Sequence, residues 1–238
     1  MSAKQGSDAK VQRTDAAVPH GALIEHRPWL MASILAAVAY YFLWNNPIAE
    51  PFLIALKGAG VGFLAIYALR RTVGLDGAIL TIALALSAAA DMVLEIEFEA
   101  GGALFFASHC VAVALYLRNR REELAGLDIA LAVALLALMP LVAWALSGRG
   151  DIAIYSSSLG LMAASAWLSR FARFRVGLGA MLFILSDWLI FSRMGTYDLA
   201  PLPDLLIWPT YYAAQLMIAT GVVQTLRAER GKGTLPRP

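Results

Sequence analysis

From about Trp29 onward the chain is a succession of apolar stretches separated by short charged links, and this pattern limits its fold more than any other feature. A helix crossing a bilayer needs roughly 20 mostly apolar residues. Stretches of that kind lie at 29–45, 51–69, 77–95, 101–117, 127–147, 152–169, 176–192 and 205–226. The breaks between them carry turn chemistry: Asn45-Asn46-Pro47, Gly74, Gly101-Gly102, Gly148 with Gly150, and Pro201 with Pro203. Composition agrees, since 60% of the residues are hydrophobic and 15% charged, against about 25% charged in a soluble domain. The expected fold is an all-α polytopic membrane bundle of eight transmembrane helices occupying residues 29–227.

The first 28 residues are polar, mixed in charge and too poor in large apolar side chains to form a core, so they read as a disordered tail. Residues 228–238 read as a second tail. The first apolar stretch lies far from the start and lacks a small-residue cleavage site, so it is expected to persist as a span rather than leave as a signal peptide.

Orientation follows from the basic residues, which collect in cytoplasmic loops. Of 19 Lys and Arg residues, sixteen fall on one side of an eight-span arrangement, among them Arg70, Arg71, Arg118, Arg120, Arg121, Arg170, Arg173 and Arg175. Only Arg149 and Arg193 fall on the other, and Lys57 lies within the second span. An odd or miscounted set of spans would scramble this segregation. Both termini are therefore placed in the cytoplasm, in a bacterial inner membrane.

Several functional classes lose support. The net charge of +2 is small and its basic residues are scattered, which does not suit nucleic acid. A single cysteine, Cys110, forms no intrachain disulfide and reads as a small apolar residue. Only His109 lies in a span, since His20 and His26 precede the first, so no histidine-rich metal site and no cofactor is expected. The run Tyr155-Ser156-Ser157-Ser158-Leu159-Gly160 lacks the flanking pattern of a serine nucleophile. The last span has no lysine for a retinal Schiff base, and Lys57 is misplaced for one.

An ionisable side chain at the bilayer centre costs about 3 kcal/mol or more, so each is a site candidate. They are Lys57, Asp91, Glu95, His109 and Asp187, joined by Tyr155, Ser186, Tyr211, Tyr212 and Gln215. Counting inward at about 1.5 Å per residue places this set in the non-cytoplasmic half of the membrane. Ser87, Asp91 and Glu95 share one helix face at intervals of four, as do Tyr211 and Gln215. Ala88, Ala89 and Ala90 would let the third helix pack closely. One polar pocket opening outward is expected. The structural alternative pairs Asp91 with Lys57 or His109 as an ion pair and makes the tyrosines interface anchors. Two carboxylic acids in one poorly hydrated pocket resist being ionised together, so one can donate a proton while the other accepts one. Hydrolysis through an oxocarbenium-like state needs that pair.

The chain resembles, over almost its whole length from Trp29, the YhhN-like family of membrane proteins, which includes the animal lysoplasmalogenases. The resemblance rests on Asp91 followed by Phe98, Gly101, Phe106 and His109, on Ser186-Asp187, and on Tyr211-Tyr212-Ala213-Ala214-Gln215. Lys57, Tyr155 and the run Met162 to Ala166 add to it. Gly58 after Lys57, in place of proline, and Cys110-Val111-Ala112 after His109, without an aromatic, depart from it. The resemblance implies cleavage of the vinyl-ether bond of a lysoplasmalogen to a fatty aldehyde and a glycerophospho-ethanolamine or -choline. It implies Asp91 and Asp187 as the catalytic pair and Lys57 as the phosphate contact. Glu95, His109, Tyr155, Ser186, Tyr211, Tyr212 and Gln215 would line or orient a lysophospholipid drawn from the membrane lipids. Nothing in the chain specifies an oligomeric state.

A transporter or flippase using Asp91 and Asp187 as proton-coupled or headgroup-binding carboxylates stands as the rival. Lys57 to Tyr155 and Asp91 to Asp187 span nearly equal lengths of chain, a hint of two four-helix halves. A carrier, however, would need polar groups through both halves of the membrane.

Overall fold

A computed structural model describes residues 27–197 and 199–231, so the tails expected at 1–28 and 228–238 lie outside it except where they join the first and last helices. Among the described residues the chain folds into eight α-helices and no strand. They are α1 (Arg27–Leu43), α2 (Glu50–Arg71), α3 (Gly74–Val93), α4 (Phe98–Arg118), α5 (Gly126–Ser147), α6 (Gly150–Leu168), α7 (Leu178–Ser192) and α8 (Leu202–Gly231), with a π-helical turn, Arg173–Gly177, leading into α7. Each coincides with one apolar stretch of the sequence, with ends that move by a few residues. Gly101-Gly102 differs from expectation: it lies inside α4, within its first two turns, because the Glu97 carboxylate caps the helix by accepting from the backbone N–H of Glu99 and Ala100. Six segments, α2, α3, α4, α5, the π-helical turn with α7, and α8, are long and apolar enough to cross a membrane. The apolar run of α1 is shorter, and α6 carries Asp151 and three consecutive serines.

Consecutive helices pack as antiparallel hairpins, with one exception. After α4 the chain leaves its neighbour, and α4 packs against α6 while α2 packs against α8. Close approach is written in small residues. A Cβ on Gly101 would lie 2.6 Å from Leu94 Cα, and one on Gly160 would lie 3.1 Å from the Leu135 carbonyl, so these glycines set the α3–α4 and α5–α6 separations. Gly74 (φ +78°) and Gly148 (φ +67°) take the left-handed conformation at the turn into α3 and the end of α5. Pro209 removes one N–H from α8, and the Leu205 carbonyl it strands four residues earlier accepts the Tyr41 hydroxyl at 3.3 Å.

The two ends of the bundle differ. At one end Asp128 accepts from Arg121 Nη1 (3.4 Å), Arg173 Nη2 (2.8 Å) and Trp167 Nε1 (3.2 Å). There too Arg118 donates to Asp76 at 3.1 Å, Arg170 pairs with Glu229, and Arg170 Nε donates to Asn119 Oδ1 at 2.8 Å. This basic end ties together the α4–α5 and α6–α7 connections, the first turns of α3 and α5, and the end of α8. Above it Leu64, Leu84, Leu115, Tyr116, Met162 and Val222 form a buried apolar floor. The opposite end is open and holds the cavity.

Candidate active site

A cavity of about 480 Å³ enters the bundle at this open end, within the range of small-molecule sites. Five of the helices that line it place one or more of the residues singled out in the sequence: Lys57 from α2, Asp91 from α3, Tyr155 from α6, Ser186 and Asp187 from α7, and Tyr211 from α8. Asp91 is 2% exposed and Asp187 5%. Each carboxyl group has a phenol. The Tyr211 hydroxyl donates to Asp91 Oδ2 at 2.8 Å, and the Tyr155 hydroxyl donates to Asp187 Oδ2 at 3.1 Å. Phe105 and Phe183 pack edge-on to the Tyr211 ring, with centroids 5.7 and 5.2 Å away, and so fix its direction. Ser186 also braces the wall it lines: its hydroxyl donates to the Ile207 carbonyl at 3.1 Å and ties α7 to α8.

Asp91 therefore pairs with neither His109 nor Lys57 by hydrogen bond. The Lys57 ammonium instead holds Glu95 just beyond the end of α3, with its Nζ 5.8 Å from the Tyr40 ring centre.

Four residues expected in the pocket do not line it. Glu95 sits outside as the partner of Lys57. Tyr212 turns toward α1, where its hydroxyl donates to Ser33 Oγ at 2.8 Å while Ser33 donates to the Gly60 carbonyl. Tyr211 and Tyr212 are successive residues, about 100° apart around the helix, and cannot share a face. His109 and Gln215 lie one tier deeper, beside a small second cavity also lined by Ser87 and Ser108. Ser158 spends its proton on the Tyr155 carbonyl at 2.7 Å, so its oxygen accepts from His109 Nδ1 at 3.1 Å, which sets the ring's tautomer. Gln215 Nε2 donates to the Tyr211 oxygen at 3.4 Å. These two support the Asp91 and Asp187 phenols from below.

The mouth of the cavity carries charges the sequence reading passed over. Arg149 donates to Asp151 through Nε (3.1 Å) and Nη2 (2.5 Å), and Glu99 lines the same rim. The hydrogen bond from Arg149 holds the Asp151 carboxyl below the usual range. Arg149 itself is raised by Asp151's hydrogen bond and charge, with a smaller contribution from Glu99. One signal was available: Arg149 is one of only two basic residues on that side. Apolar walls from Phe98, Phe106 and Trp208 separate rim from floor. Among the described residues no three His, Cys, Asp or Glu side chains gather to hold a metal.

An all-helical membrane bundle with two buried carboxyl groups facing one cavity is thus the class that fold and site define. A profile of the YhhN family matches residues 52–222, and the chain belongs to that family. No curated protein and no solved structure matches it.

Proposed function

We propose that this protein is an intramembrane lysoplasmalogenase-like hydrolase that cleaves the vinyl-ether bond of a lysoplasmalogen or a related lyso-lipid. The observation that carries the reading is the pair of buried carboxyl groups, Asp91 and Asp187, on different helices but facing one cavity. Membership of the YhhN family supports it. In this reaction a proton adds to the vinyl carbon β to the ether oxygen, and positive charge spreads over the α carbon and that oxygen. Water adds to the α carbon and releases a proton, and the hemiacetal collapses to an aldehyde and the glyceryl alcohol. One water is consumed and no net proton. One aspartic acid gives the first proton and the other carboxylate takes the proton of the attacking water. Tyr155 and Tyr211 hold the two carboxyl groups in place. Lys57, on the cavity wall, exchanges Glu95 for the phosphate of the headgroup.

In the same reading all eight helices span a bacterial inner membrane, with both termini cytoplasmic and the cavity in the non-cytoplasmic half. The gathering of Arg118, Arg121, Arg170 and Arg173 at one end supports that orientation. The buried apolar floor favours an enzyme over a carrier, because a carrier needs a polar route through both halves.

Aldehyde release from a lysoplasmalogen by purified protein tests the reading. Wild type is expected to be active, and Asp91→Asn and Asp187→Asn each to lose roughly 100-fold or more while still folded. Activity that survives in both variants, or no activity on any lyso-ether or lyso-ester lipid, overturns it.

A further inference from the structure

Two adjacent glycines in α4 do opposite things. A Cβ on Gly101 would strike the Leu94 backbone, whereas a Cβ on Gly102 meets no atom within 4 Å. Gly102 is half-buried and lines the cavity. Phe98, Gly102 and Phe106 follow one another at intervals of four, so they form one stripe along α4, and all three line the cavity. Both phenylalanines are exposed on the outside of the bundle, as is Ile154 of α6, another lining residue. A wall residue that is also surface-exposed marks a place where the cavity reaches the surface. Here that place is the seam between α4 and α6, and Phe106 lies about 12 Å down α4 from its first residue, at hydrocarbon depth. At the top of the same two helices stand Glu99, Arg149 and Asp151, so the opening is charged at its head and apolar along its length.

We propose that the α4–α6 seam is a lateral portal through which the hydrocarbon chain of a single-chain lipid enters from the bilayer, and that Gly102 sets its clearance. The inference rests on the proposed reading of this same cavity as a lyso-lipid site. Charge order identifies the occupant: a cation and two carboxylates at the rim suit a zwitterionic headgroup, and the stripe below them suits one alkyl chain. The aromatic rings of Phe98 and Phe106 flank the gap that Gly102 leaves. A larger side chain at 102 fills the portal without meeting the fold, while Phe106→Ala widens it.

The test uses the full chain in nanodiscs with a non-cleavable 1-O-alkyl lysophosphatidylcholine bearing a photoreactive diazirine near the end of its chain. The label is expected to map to α4 and α6 around Phe106 and Ile154, and to fall roughly tenfold in Gly102→Leu at an unchanged melting temperature. In Phe106→Ala labelling persists with a bulkier, branched chain that wild type excludes. Labelling that maps elsewhere, or is equal in Gly102→Leu, overturns the portal whether or not the protein hydrolyses anything. If wild type hydrolyses no lipid but labels at the seam, the hydrolase reading fails and the portal stands. If wild type hydrolyses a lysoplasmalogen, Gly102→Leu raises KM for a long-chain substrate and spares a butyl-chain one. An equal loss at both lengths counts against the portal.

Discussion

Asp91 and Asp187 sit in the membrane-spanning part of the chain with one phenol each, and those two hydroxyls are the nearest handles on their chemistry. A hydrogen bond to a charged group is worth about 1.5–3 kcal/mol. Tyr211→Phe and Tyr155→Phe, which keep the ring and remove only the donor, should therefore each slow aldehyde release by roughly 10- to 100-fold. Expression and melting temperature should stay near wild type, and steady-state kinetics on the folded variants would check both. Tyr212→Phe, by contrast, removes a contact to Ser33 on α1 and should leave kcat unchanged. The aspartates were legible in the sequence because an ionisable group in an apolar stretch is costly and stands out. Their partners were not, since Tyr211 follows Asp91 by 120 positions and only the packing of α8 brings them together. Tyr212 misled through adjacency, although the helical repeat already separates it from Tyr211. Arg149 and Asp151 were hidden for a different reason: they lie at a helix start, where charge is cheap and carries no signal.

The helices themselves differ in how they are held. Most of α5 faces outward, with Leu127, Val133, Leu141 and Trp144 exposed, and its first turn is fastened by the buried carboxylate of Asp128 to Arg121, Arg173 and Trp167. Removing one member of a buried ionic cluster leaves the others unpaired, at about 3–5 kcal/mol when the cluster is fully buried. The Arg173 side chain is 41% exposed, so Asp128→Ala should cost less, about 2 kcal/mol. The expected result is a lower melting temperature in detergent. Asp151→Ala, at an exposed rim pair, should leave that temperature where it was. α8 shows the same logic in the backbone, where Tyr41 takes up the carbonyl that Pro209 strands. No sequence pattern announces such a pairing across 164 residues, yet lipid supplies no water to replace it.

Across the whole molecule, the number and place of the helices were legible because apolar length alone encodes them, while the neighbour of α4 was not, because chain order suggested α5. The nearly equal spacings of Lys57 to Tyr155 and Asp91 to Asp187 find an echo in the packing. If α1–α4 and α5–α8 are matched in order, the α4–α6 contact corresponds to that of α8 with α2. Orientation can be read with single cysteines after replacing the native Cys110. Thr196→Cys, in the loop before α8, should react with an impermeant maleimide in intact cells. Glu122→Cys, between α4 and α5, should react only after permeabilisation, and the reverse result would invert the bundle. On the proposed hydrolase reading, the buried apolar floor beneath the two aspartates would turn both products back, each by the route of its own solvent, the oily fragment sideways into the leaflet and the wet one upward. The two halves would then never queue for the same door, and only the leaflet level with the cavity would be served.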